Sequence, residues 1–241
     1  MNKLLENINN LSNDSTKNIG FGKSTSSKNS RKILLFQELR NQDNQYLEYI
    51  DGLIYKDIEF DQLNEINLND HLNGIIFPDK MIKVDLVESN GFDFVVLHDL
   101  NVSSAYLVSE KLTTGFYVEE NLDDDTAEIL NNISTSFVLI NLNNNPKYEK
   151  LSGIFDLVKI ISKLEKYIFI KLNYLPDPKI LSLLHSCGVV AIILDSSVVN
   201  ESIFKLFDKH LRDIKTDNKN NPLFYPNISE SINLVDIDDE D

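Results

Sequence analysis

Four residues near the ends of apolar runs carry usable chemistry: His98 in "DFVVLH", Glu119 in "GFYVEE", Lys171 in "YIFIKLN" and Asp195 in "VAIILD". His98, followed by Asp99, offers a general base for work near neutral pH. The plainer reading is a strand-end histidine bonded to a neighbouring loop. Lys171 sits late in its apolar run, where an amine could form a Schiff base with a carbonyl compound; a structural salt bridge is the alternative. Glu119 and Glu120 are adjacent, so strand alternation sends them to opposite faces and they are not by themselves an acid/base pair. A carboxylate partner from Glu38 or Asp195 would permit glycosidase-like or divalent-metal chemistry. No metal is implied, because spacings such as His-x-x-x-His or Cys-x-x-Cys do not occur among only 4 histidines and 1 cysteine. Helix C-termini favour cations, which gives His210, near the end of the last helical segment, a structural explanation.

A second candidate is the GKST of "NIGFGKSTSSKNSRK". In a P-loop, backbone N–H groups wrap the phosphates, a lysine reaches the outer ones and a hydroxyl meets magnesium. That machinery needs a further glycine at position 17, where Lys17 stands, and a buried strand before it, where "NNLSNDSTKN" is polar. It also needs a helix after it, and the chain instead enters the apolar run "KILLFQE". The stretch reads as a Ser/Asn/Lys-rich leader, and no nucleotide or other cofactor is implied.

The candidate residues belong to a repeating frame. Short runs rich in Ile, Val, Phe and Tyr occur at 32–38, 52–56, 73–78, 93–98, 115–120, 136–142, 167–173 and 190–195. Their near-continuous apolarity suits parallel strands covered on both faces. Between them lie segments with helical spacing. "DLVESNG" ends at Gly91, and "DDDTAEILNNIS" opens on carboxylates that suit a helix N-terminus. "KYEKLSGIFDLVKIISKLEK" places Leu151, Phe155, Val158, Ile161 and Leu164 on one expected core stripe. "DPKILSLLHSCG" has Pro178 near its start and Gly188 at its end. Eight strand-helix units predict a (βα)8 TIM-like barrel, compact or degenerate, with short or irregular connections after the first two strands. The alternative is an open, doubly wound parallel sheet, although its usual Gly-rich first turn is missing from "FQELRNQDNQ". In a barrel the functional groups sit at the C-terminal strand ends. Those positions are Gln37 and Glu38, Lys56 and Asp57, Asp79 and Lys80, His98 and Asp99, Glu119 and Glu120, Asn141 and Asn143, Lys171 and Asn173, and Asp195.

The stretch "FIKLNYLPDPKILSLLHSCGVVAIILDSSVV" resembles the C-terminal quarter of phosphate-binding TIM barrels in its strand-helix-strand layout, its helix-ending Gly188 and its final small-residue turn. That superfamily includes synthases and isomerases of phosphorylated metabolites, and it grips phosphate through glycines in the loops after strands seven and eight. Here the first loop is "NYLPDP", with no glycine, and Asp195 stands where the second has one. A carboxylate there repels phosphate. Lys171 resembles the Schiff-base lysines of class I aldolases in placement alone.

The bulk numbers narrow the classes. At 241 residues, 42% hydrophobic and 25% charged, the chain is an ordinary globular sequence. A net charge of −15 argues against nucleic acid and against an anionic membrane surface, both of which need clustered Lys and Arg. No apolar run is long enough to span a bilayer. The single cysteine, Cys187, excludes an internal disulfide and fits a cytoplasmic location. Three regions are expected: a flexible polar leader (1–30), which includes a possible amphipathic helix on Leu4, Leu5, Ile8 and Leu11; one barrel-like domain (31–214); and an acidic, loosely ordered tail (215–241) whose "PLFYP" and "INLVDI" could dock on the body or a partner. Two functions compete. One is a non-catalytic binding or assembly component with an unidentified small-molecule or protein partner. The other is a lyase or isomerase of a small carbonyl or carboxylate metabolite. The second requires Lys171, His98 and a carboxylate from Glu119 or Asp195 to converge in an open mouth. The first predicts a filled or salt-bridged mouth and an exposed apolar patch elsewhere.

Overall fold

The computed structural model describes residues 2–13, 31–40, 45–56, 63, 66, 68, 70–76, 83–119, 122–142, 148, 150–195 and 200–214. Eight parallel strands pair in chain order and close into a barrel: β1 (Leu34–Arg40), β2 (Gly52–Lys56), β3 (Leu72–Ile76), β4 (Phe94–Leu97), β5 (Thr113–Val118), β6 (Phe137–Asn141), β7 (Tyr167–Leu172) and β8 (Val189–Asp195). β8 returns to β1 with Ala191 opposite Leu34 and Asp195 opposite Glu38. The fold is therefore a TIM barrel; the open sheet is excluded by this closure.

The continuous apolarity of the strands has two destinations. Alternate side chains such as Leu35, Leu53, Val95, Val138, Ile170 and Ile192 pack outward under the surrounding helices, while Phe36, Phe94, Phe137, Phe169 and Ile193 fill the interior. The helices are α2 (Val84–Ser89), α3 (Asp124–Asn132), α4 (Leu151–Ile161), α5 (Pro178–Ser186) and α6 (Glu201–Arg212). Their ends follow local chemistry. Asp123 accepts from Thr126 N–H at 2.7 Å before α3, and Asn200 accepts from Ile203 N–H at 3.2 Å before α6. Gly91 and Gly188, at φ 83 and 94, take the left-handed conformation that ends α2 and α5. The β1–β2 connection carries only a 3-10 turn (Leu47–Tyr49) among the described residues, and the β4–β5 connection another (Ser104–Val108). Of the β2–β3 connection, most lies outside them.

Two expectations are corrected. The core stripe of α4 is Ile154, Leu157, Ile160 and Ile161, with Leu164 just beyond it, while Leu151 and Phe155 face outward. Both assignments fit a 3.6-residue period, because α4 is apolar on two sides and periodicity alone cannot choose between them. The N-terminal leader, in turn, is not uniformly flexible: α1 (Lys3–Asn13) is a helix with Leu4 and Ile8 fully buried in the interior cluster. Lys3 donates to the His71 carbonyl at 3.3 Å and Asn9 accepts from the Tyr167 hydroxyl at 3.1 Å. These partners sit at the N-terminal ends of strands, so α1 stoppers the bottom of the barrel. Residues 14–30, with the GKST stretch, and the tail 215–241 lie outside the described residues.

Three glycines set the interior. Gly52, Gly74 and Gly115 lie in register with Phe36, Phe94 and Phe137 of the adjacent strands. A Cβ on any of them would come within 3.0 Å of that ring. The space they leave lets four phenylalanines meet in a closed circuit. Phe36 stacks on Phe169 at 5.9 Å and Phe169 on Phe137 at 4.3 Å; Phe94 meets Phe137 and Phe36 edge-on at 5.9 and 5.5 Å.

Candidate site at the barrel mouth

The phenylalanine circuit is the floor of the candidate site. One alternation step above Phe36 is Glu38, and one above Phe169 is Lys171, so both point inward at the C-terminal mouth. Asp195, in register with Glu38, completes the group from β8. Lys171 Nζ donates to both oxygens of Glu38, at 2.6 and 2.5 Å, and lies 3.6 Å from Asp195 Oδ2. The three side chains are 4%, 0% and 6% exposed, in the order Lys171, Glu38, Asp195. Ion pairs this deep gain little net stability, because desolvation offsets the attraction, but losing one partner strands a buried charge. The triad therefore behaves as a lock whose parts must be present together.

The opposite arc is built by β4, β5 and β6. His98, just past β4, sets its ring edge-on to Tyr117 with centroids 4.6 Å apart. Tyr117 hydrogen-bonds the Asn141 side chain, and burial, with help from the Glu119 and Glu38 charges, pushes its phenol up to about 12. Tyr117 thus keeps its proton at neutral pH. His98 and Glu119 are exposed, whereas Tyr117 and Asn141 are half-buried.

Of the four sequence candidates, Lys171 and Asp195 are brought together, while His98 packs on Tyr117 and the Glu119 charge acts on the Tyr117 phenol. Glu120, Asp57, Asp79, Lys80 and Asn143 lie outside the described residues. His210 is on α6 as expected. Glu38, foreseen only as a possible carboxylate partner, is the direct partner of Lys171. Tyr117 went unnoticed, although its parity signalled it: it is two residues from Gly115, which faces the interior phenylalanine. Among the described residues no three potential metal ligands cluster, and no helix is long and apolar enough to cross a membrane.

Neither a family profile nor a curated protein matches the sequence. Solved structures do. Three mutant forms of the tryptophan synthase alpha-subunit from the hyperthermophile Pyrococcus furiosus superpose at TM-scores of 0.54, 0.55 and 0.55, with 12%, 12% and 13% identity. Each alignment covers 75% of this chain and 97% of the alpha-subunit. At that identity the likeness is one of fold, and function has to be argued from the site.

Proposed function

We propose that this chain is a non-catalytic TIM barrel that acts as a binding or assembly component, its mouth closed by its own salt bridge. One observation carries the reading: Lys171, the group best placed to act as a nucleophile, is committed to Glu38 at 2.6 and 2.5 Å while both side chains are nearly or fully buried. An ammonium held by a carboxylate has no lone pair with which to attack a carbonyl. Asp195, standing where phosphate-binding barrels have glycine, adds a second carboxylate and disfavours an anionic ligand beside it. Exposed apolar side chains elsewhere on the helices, such as Ile129 on α3 and Leu206 on α6, fit an assembly role.

The lyase or isomerase reading has its own support: Lys171 points into the mouth, and Tyr117, across from it, retains a proton it could donate. Reductive trapping separates the two. The full chain is incubated with pyruvate or glyoxylate and borohydride, then digested and mapped by mass spectrometry. The expected result is no adduct at Lys171 beyond the level found on exposed lysines such as Lys179. A selective adduct at Lys171, lost in Lys171→Met, would overturn the non-catalytic reading in favour of Schiff-base chemistry.

A further inference from the structure

Helix α4 is apolar on both sides, and only one side is covered. Ile154, Leu157, Ile160 and Ile161 pack against the barrel, while Leu151 and Phe155, one turn apart, are 68% and 63% exposed. The exposed pair lies between two cations: Lys150, exposed at the helix start, and Lys159, also exposed, two turns on. Asp156 is the one carboxylate of the helix. In a chain of net charge −15 this is an unusual local balance, and the surface it complements is apolar and acidic.

The chain carries such a segment itself. Residues 231–241, "SINLVDIDDED", present Ile232, Leu234, Val235 and Ile237, with carboxylates at Asp236, Asp238, Asp239, Glu240 and Asp241. Its reach agrees. α6 ends at Arg212, Ile214 is buried beyond it, and about eighteen residues then lead to Ile232. A chain of that length without regular structure would average about 21–25 Å end to end and span about 60 Å at full stretch. α4 lies two helices around the barrel from α6, a lateral step of roughly 16–20 Å at ordinary helix spacing, and its start is about one helix length, roughly 16–18 Å, along the axis from the end of α6, so the straight-line span is about 23–27 Å. A tether whose average length is close to the span gives an effective concentration in the millimolar range, so even a weak contact is populated.

We propose that residues 231–241 dock on the outer face of α4, their apolar side chains over Leu151 and Phe155 and their carboxylates toward Lys150 and Lys159. The contact is independent of the barrel mouth, so its failure would leave the Lys171 trapping result untouched, and the reverse holds too.

The test places a photo-crosslinking benzoyl-phenylalanine at position 155 of the full chain, and separately at 151, and maps the products by mass spectrometry. The expected product joins position 155 to residues within 231–241 at the mass of a single chain. It is lost in Lys150→Glu/Lys159→Glu, and lost again in Ile232→Ser/Leu234→Ser, a change that leaves the barrel sequence intact. Three results would each overturn the proposal: no crosslink to the tail from either position, crosslinks only at the mass of two chains, which would make a second copy the occupant, or a tail crosslink indifferent to both sets of substitutions.

Discussion

Replacing Glu38 with alanine tests whether the mouth is closed. In the folded protein Lys171 Nζ has the Glu38 carboxylate at 2.6 and 2.5 Å, and its next carboxylate, Asp195, at 3.6 Å, beyond hydrogen-bond range. Glu38→Ala leaves a buried ammonium with only this looser partner, a kind of loss that costs about 3–5 kcal/mol. For a chain of this size that corresponds to a fall in melting temperature of about 6–20 °C. Thermal and urea unfolding at pH 7 would measure it. Formate or acetate can enter the space vacated by the side chain and replace the missing carboxylate, so either should raise the stability of the variant more than that of the parent. Glu38→Gln, which keeps shape and hydrogen bonding but not charge, should fall between the two. The reasoning fails if Glu38→Ala costs less than about 1 kcal/mol, the value for a solvated surface pair. Lys171 would then be in contact with water, the mouth would be open, and the lyase reading would regain its footing.

Two further predictions concern the interior and the opposite arc. Gly74→Ala should destabilise by about 1–3 kcal/mol, because its Cβ meets the Phe94 ring, which Phe36 and Phe137 hold in place. Gly74→Ala/Phe94→Leu should recover part of that loss, and strictly additive costs in the double-mutant cycle would refute the steric account. Tyr117, whose folded value of about 12 lies above the ordinary 10.0, contributes stability that is complete below pH 10 and is lost as pH rises through 12, since the unfolded chain gives up that proton first. Phenolate absorbance of the parent against Tyr117→Phe should locate the titration, and Glu119→Gln should move it downward; no movement would remove Glu119 from the arc.

How much of this was legible in the sequence depends on what each residue answers to. The strands were, because a run such as "VAIILD", apolar on both faces, has few other places to go than the wall of a barrel. Helix ends were legible for the same local reason: Pro178, Gly91 and Gly188 act through their own backbone. The facing of α4 was not, since Leu151 and Phe155 satisfy the helical period as well as Ile154 and Leu157 do, and only the packed barrel decides between them. Nor was the circuit of four phenylalanines, which depends on inter-strand register: Gly74 is an unremarked residue until it stands opposite Phe94.

The mouth shows the same limit in its chemistry. Reading strand ends located Lys171, Asp195 and Glu38 correctly as a ring, but the ring's function turns on which members touch. Glu38 and Lys171 are 133 residues apart in sequence and meet because β7 and β1 flank β8, so closure of the barrel creates the pair. Had the sheet stayed open, with β1 away from β8, the same residues could not have met and Lys171 would have kept its amine for other work. Closure of the barrel is thus what commits the Lys171 side chain to Glu38. Removing Glu38 is accordingly the one change that could either unlock an activity or merely unfold the barrel, and the formate experiment distinguishes a rescued fold from a released nucleophile.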